Sequence, residues 1–214
     1  EHARHGYLAL DIQIHGQDVD LEKYPHIPGY YSEAVFEPIN QYYFYNVHKR
    51  VMQAVNYLLS RDDADPRQVV AVGGSQGGRL GIVIAGLDKR ITAVVSTIAN
   101  SPNQPHLEWV ARCNGQKTDG MDLKSAPPAV DSPAGTCFAY YDPMNYAQDI
   151  TCPVMMMGGL IDPVSPAYSV WSVYNRLRVR DKRIVANDGH AHDWSAEFDR
   201  QAWRWLAEQH VKEK

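Results

Sequence analysis

Apolar and polar positions alternate along this chain with two different periods, and the switches between them mark out its elements. From about Tyr43 to Ser60, the residues Val47, Val51, Ala54, Val55, Leu58 and Leu59 recur at helical spacing, which predicts a helix with one buried face. Val69 to Val72 is a short β-branched run, followed by a segment of small and apolar residues reaching about Leu87, read as strand and then helix. Ile91 to Ile98 is almost continuously apolar or β-branched, as expected of a strand covered on both faces. Pro153 to Gly159 reads the same way. A helix is predicted at about Ala167 to Leu177, then a strand from Arg183 to Ala186. The last helix begins near Ser195, with Phe198, Ala202, Trp205 and Leu206 on one side. Near the start, Glu1 to Gly6 resembles a last helical turn closing on glycine, and Tyr7 to Ile12 reads as a strand.

Strands alternating with helices predict an α/β fold, a mostly parallel sheet with helices on both faces, over residues 1–214 as one domain. Two stretches break the rhythm. Residues 16–40 carry Pro25, Pro28, Gly29 and Pro38 and read as loop. Residues 101–150 read as an irregular insertion, with a short helix around His106 to Arg112.

Composition narrows the classes. A content of 44% hydrophobic and 21% charged residues suits a globular core, and a net charge of −4 gives no reason to expect a nucleic acid partner. No apolar run approaches a membrane span, so no membrane association is expected. Three cysteines do not make a disulfide framework. Cys152 reads as a packed free thiol, while Cys113 and Cys137 are candidates for pairing in an oxidising compartment. The compartment itself is not legible.

The chemistry is concentrated in Gly73-Gly74-Ser75-Gln76-Gly77, which joins a strand to a helix. A serine at the apex of so sharp a turn has its hydroxyl standing above the sheet edge beside a helix N-terminus. Gly73 and Gly77 are the positions expected to lack a Cβ. No Lys-Ser/Thr pair follows these glycines, which argues against a phosphate cradle. A serine nucleophile needs a base, and the base an orienting acid, in the chain order serine, acid, histidine. Asp162 lies just past the fourth strand. His190 and His192 both lie just past the last one, in Asp188-Gly189-His190-Ala191-His192. His190 is preferred because Gly189 permits a tight turn; His192 is the alternative. The backbone N–H of Gln76 is the expected oxyanion donor. The His-x-His pair lacks a third ligand, so no metal or other cofactor is expected. Tyr30, Tyr31, Tyr140 and Trp194 are candidate pocket-lining residues, and His15 could also line the site.

Several separated segments resemble the acetyl xylan esterase and cephalosporin-C deacetylase family of α/β-hydrolases, the seventh carbohydrate esterase family. They are Gly73 to Gly78, Tyr140 to Ala147 with Ile150 to Val154, Gly159 to Asp162 with Pro166 and Tyr174-Asn175, and Tyr30-Tyr31 with Val35-Phe36. The resemblance implies removal of acetyl or other short acyl groups from a small ester substrate, such as an acetylated sugar, through an acyl-enzyme on Ser75. His190 would be the base and Asp162 the acid. It also implies a homo-oligomer, or association with an amino-terminal segment, because the early strands of that fold are expected to lie outside this chain. Two departures are visible. Ile14 to Asp18 replaces the family's Arg-Gly-Gln-Gly run, and a gap-free alignment around the histidines favours His192. Other readings are a peptidase or lactone hydrolase of the same fold, or a catalytically silent binding module.

Overall fold

The computed structural model describes residues 2–14, 38–99 and 131–211. Four strands form one sheet in the order β1 (Val70–Gly74), β2 (Ala93–Thr97), β3 (Val154–Gly159) and β4 (Lys182–Asn187). All three pairings are parallel. Between them run α1 (Tyr43–Leu59) before β1, α2 (Gln76–Leu87) after it, α3 (Pro133–Tyr141) and α4 (Pro143–Ala147) before β3, α5 (Ala167–Arg176) before β4, and α6 (Ala196–Val211) last.

Strand alternation divides the core in two. Val94, Val154 and Met156 point to the face covered by α1, α2 and α5, where they pack with Val47, Val51, Ile84 and Val170. Ala93, Val95, Met155 and Met157 point to the other face and meet Phe198, Ala202, Trp205 and Leu206 of α6. The apolar side read from α6 is therefore its buried side. β2 and β3 are buried at every position, which explains their unbroken apolar sequences.

Two expectations are corrected. The insertion at 101–150 is not irregular throughout, because its described part holds α3 and α4. Ser132 accepts from the Gly135 N–H at 3.0 Å and Asp142 accepts from the Met144 N–H at 2.9 Å, each followed by proline at the first helical position. Ser-Pro and Asp-Pro are thus helix starts here rather than breakers. Residues 7–12 form no strand. Leu8 and Leu10 are exposed, and the stretch joins no ladder with β1. Leu10, Asp11, Ile12 and Ile14 instead line a cavity of about 390 Å³ bounded by α1, α2 and β1, into which none of Ser75, Asp162 and His192 faces. The opening turn, His2–His5, is 3-10 helical and closes on Gly6 at φ 85°. Cys137 and Cys152 are buried and free among the described residues; Cys113, the pairing candidate for Cys137, lies outside them.

One buried group adds a pH dependence. His48 of α1 sits among the rings of Phe44, Tyr141 and Tyr146, and its Nε2 is buried with no hydrogen-bond partner among the described residues. Burial first, and the Arg79 guanidinium second, push it down to about 3. The unfolded chain takes up this proton near the ordinary histidine value of about 6.5. Stability is therefore fully present above that value and is lost as pH falls from about 6.5 towards about 3. The loss per pH unit has a ceiling of about 1.4 kcal/mol for one proton. His48→Gln is expected to flatten that acid slope in urea unfolding at pH 7, 5 and 4. An unaltered slope would remove His48 as its source.

Candidate active site

Every part of the site lies at the carboxyl ends of the parallel strands. Ser75 follows β1 directly and adopts φ 51° and ψ −119°, a conformation that few non-glycine residues take. Two bonds hold it there: its N–H donates to the Thr97 carbonyl at 2.9 Å, and its carbonyl accepts from the Arg79 N–H at 3.0 Å. The turn is closed tightly enough that a Cβ at Gly73 would lie 2.4 Å from the Gly77 carbonyl carbon. Gly77 itself has open space, contrary to the sequence expectation. The second pinch is at Gly78, where a Cβ would meet Ser96 Oγ at 2.8 Å and the Thr97 oxygen at 2.9 Å.

Asp162 lies three residues past the end of β3, and its carboxylate is fully shielded from solvent. Its Oδ1 accepts from the Val164 and Ser165 N–H groups, each at 2.8 Å. The other oxygen, Oδ2, is 2.8 Å from His192 Nδ1, and His192 Nε2 is 2.9 Å from Ser75 Oγ. An ionised carboxylate only accepts hydrogen bonds, so the imidazole proton belongs on Nδ1. Nε2 is then left to accept from the serine hydroxyl. This is the protonation pattern that a general base requires.

The base candidate in this geometry is His192, not the preferred His190. The ring of His190 turns outward, with Nδ1 3.1 Å from the exposed Asp193. Gly189 does make the expected turn, at φ 69°. That turn brings the His190 main chain, not its ring, to the acid loop: the His190 carbonyl accepts from the Ile161 N–H at 3.2 Å. The ring that reaches the serine comes two residues later.

The remaining expectations divide. Gln76 is the first residue of α2, which puts its peptide N–H among the helix's first-turn donors beside Ser75. Trp194 is half-exposed, with its six-membered ring 3.4 Å from where a Gly74 Cβ would stand, so it flanks the nucleophile turn. Tyr140 is exposed at the end of α3. Tyr30, Tyr31 and His15 lie outside the described residues. Sequence reasoning missed Thr97 and Arg79. Thr97 supports the turn twice, through its carbonyl and through its hydroxyl, which donates to the Gly73 carbonyl at 3.3 Å. Arg79 is buried, donates to the Tyr141 carbonyl at 2.7 Å, and stands 4.4 Å over the Phe44 ring. An arginine inside an otherwise small and apolar helix was the available signal for it. Among the described residues, no group of three or more His, Cys, Asp or Glu side chains is placed to hold a metal ion. No described helix is long and apolar enough to cross a membrane.

Comparison with known proteins adds the lineage. The chain is 32% identical over 199 residues to the acetyl esterase Axe7A of Xylanibacter ruminicola, covering 86% of this chain and 43% of that protein. Its fold superposes on acetyl xylan esterase 1 from Thermoanaerobacterium sp. JW/SL YS485 with a TM-score of 0.69 at 23% identity, covering 81% of this chain and 55% of that one. A monoacylglycerol lipase from Paleococcus ferrophilus shares the fold more distantly, with a TM-score of 0.54, 18% identity, and 77% of this chain covered against 75% of that one. The chain thus spans about half the length of the esterases it matches. The family model for acetyl xylan esterase (AXE1) matches residues 1–209. On a parallel α/β-hydrolase sheet with a strained serine turn, that match over nearly the whole chain shows that it belongs to the acetyl xylan esterase family.

Proposed function

We propose that this chain carries the nucleophile, base and acid of a serine esterase that hydrolyses acetyl or other short-chain esters, with acetylated carbohydrate as the natural substrate class. One observation carries the reading: a single imidazole, that of His192, lies within hydrogen-bond distance of both a strained serine hydroxyl and a buried carboxylate.

In this mechanism His192 Nε2 takes the hydroxyl proton as Ser75 Oγ bonds to the ester carbonyl carbon. The carbonyl oxygen becomes an oxyanion, and the Gln76 N–H at the α2 terminus donates to it. Collapse breaks the carbon–oxygen bond to the sugar, and the proton held on His192 passes to the departing alkoxide. Acetyl-Ser75 remains. Water then attacks it while His192 takes the water's proton, and collapse returns that proton to Ser75 as acetic acid leaves. Asp162 stays ionised throughout and holds the imidazole in the required tautomer. The strain at Ser75 keeps the hydroxyl clear of the backbone, so little reorganisation is needed as charge develops. Trp194 beside Gly74 supplies an apolar wall for the acyl or sugar moiety. Assembly with further polypeptide, as a homo-oligomer or with an amino-terminal segment, belongs to the same reading.

A fluorophosphonate probe tests the proposal without knowledge of the natural ester. Peptide mapping is expected to find the label on Ser75, together with turnover of p-nitrophenyl acetate. Protein that neither labels at Ser75 nor hydrolyses the acetate would favour the silent binding module instead.

A further inference from the structure

We propose that Gly159 is a positioning residue for the base: its missing Cβ is the seat on which the main chain carrying His192 rests. The role in catalysis rests on the esterase reading above. β3 ends in Gly158-Gly159, and strand alternation aims their absent side chains in opposite directions. A Cβ on Gly159 would stand 2.4 Å from the Ala191 oxygen, 2.5 Å from the His190 oxygen and 3.1 Å from the His190 carbonyl carbon. All three atoms are backbone of the loop that ends in His192.

The same loop is zipped to the acid loop immediately beyond. Gly159 pairs with Asn187 in the β3–β4 register, the Leu160 N–H donates to the Asn187 carbonyl at 3.2 Å, and the Ile161 N–H donates to the His190 carbonyl at 3.2 Å. The zipper ends at the 2.8 Å contact between Asp162 and His192. The acid and the base are therefore set relative to each other by main-chain contact, and Gly159 is where an added Cβ would run into the histidine loop. An added methyl group would force the histidine loop to withdraw by about 1 Å, and a displacement of that size can cost about 10²-fold in rate.

Gly158 provides the matched comparison. A Cβ there would lie 2.5 Å from Trp171 Cζ3, the edge of a partly buried side chain on α5 rather than backbone, and one with no part in the site. Gly158→Ala and Gly159→Ala thus crowd neighbouring positions of one strand, but only the second pushes on the backbone that carries the base.

The test measures kcat and KM for p-nitrophenyl acetate, the rate of fluorophosphonate labelling at Ser75, and the downfield proton resonance of the His192–Asp162 hydrogen bond in wild type and both variants. G159A is expected to lose about 10²-fold in kcat with KM changed less than about threefold. Its labelling should slow in parallel, and its downfield resonance should shift or disappear. G158A is expected to keep all three readouts close to wild type. A G159A protein with wild-type kcat and resonance would overturn the proposal, as would a G158A protein that loses both equally. If wild type neither labels nor hydrolyses the ester, the esterase reading fails, while the resonance still decides what Gly159 does. Should G159A not fold, Ala191→Gly loosens the same loop from its own side without adding an atom. That variant is expected to lower kcat several-fold at unchanged KM, and an unchanged kcat would overturn the proposal.

Discussion

Ser75→Ala is expected to lower kcat for p-nitrophenyl acetate by about 10⁴- to 10⁶-fold while KM stays within a few-fold of wild type. The argument is chemical. In the proposed mechanism the hydroxyl oxygen forms the covalent bond, and without it His192, whose Nε2 lies 2.9 Å away, has no acyl-enzyme to build or break. Residual rate would come only from binding and from the oxyanion donors, which act on a water attacking directly. Stability should change little. Alanine at φ 51° is strained much as serine is, and neither bond that fixes the residue, Ser75 N–H to Thr97 and Arg79 N–H to the Ser75 carbonyl, involves the side chain. The measurement is steady-state turnover alongside a thermal melt. A variant that melts like wild type and retains more than a tenth of its kcat would remove Ser75 from the reaction.

His192→Ala is expected to fall about as far, and His190→Ala to stay within about threefold of wild type. Only the ring of His192 bridges Ser75 and Asp162, whereas that of His190 bonds an exposed aspartate at the surface. In the proposed mechanism nucleophile and base act as one unit, so the double variant Ser75→Ala/His192→Ala should be no slower than either single variant beyond about threefold. Independent contributions would instead multiply. Kinetics of the four variants at one pH decide the matter. A large loss in His190→Ala with His192→Ala spared would reverse the assignment of the base.

The sheet was largely legible because its information is local. β2 and β3 are buried on both faces and so are written as unbroken apolar runs, and the four predicted strands in residues 69–186 appear within a few residues of their expected ends. The nucleophile turn was legible for the same reason, since strand, glycines and small-residue helix are contiguous. Asp162 followed from its place after β3. The described part of the region before β3 was misread because α3 and α4 are short and spacing alone does not announce them. The bonds from Ser132 and Asp142 to the following turn mark their starts. Residues 7–12 alternate as a strand does, yet a strand also needs a neighbour to share its ladder, and no local pattern records one.

What the chain's own order of residues determined is the four strands from β1 to β4, their parallel arrangement, and the serine and carboxylate that follow β1 and β3. Which of the two histidine rings lies against Ser75 and Asp162 was decided only in three dimensions. His190 and His192 share one loop, and a loop has no period from which to read the direction of a ring. The direction was set by Gly189 turning at positive φ and by the His190 carbonyl being held by Ile161, residues separated widely in sequence and joined through the backbone.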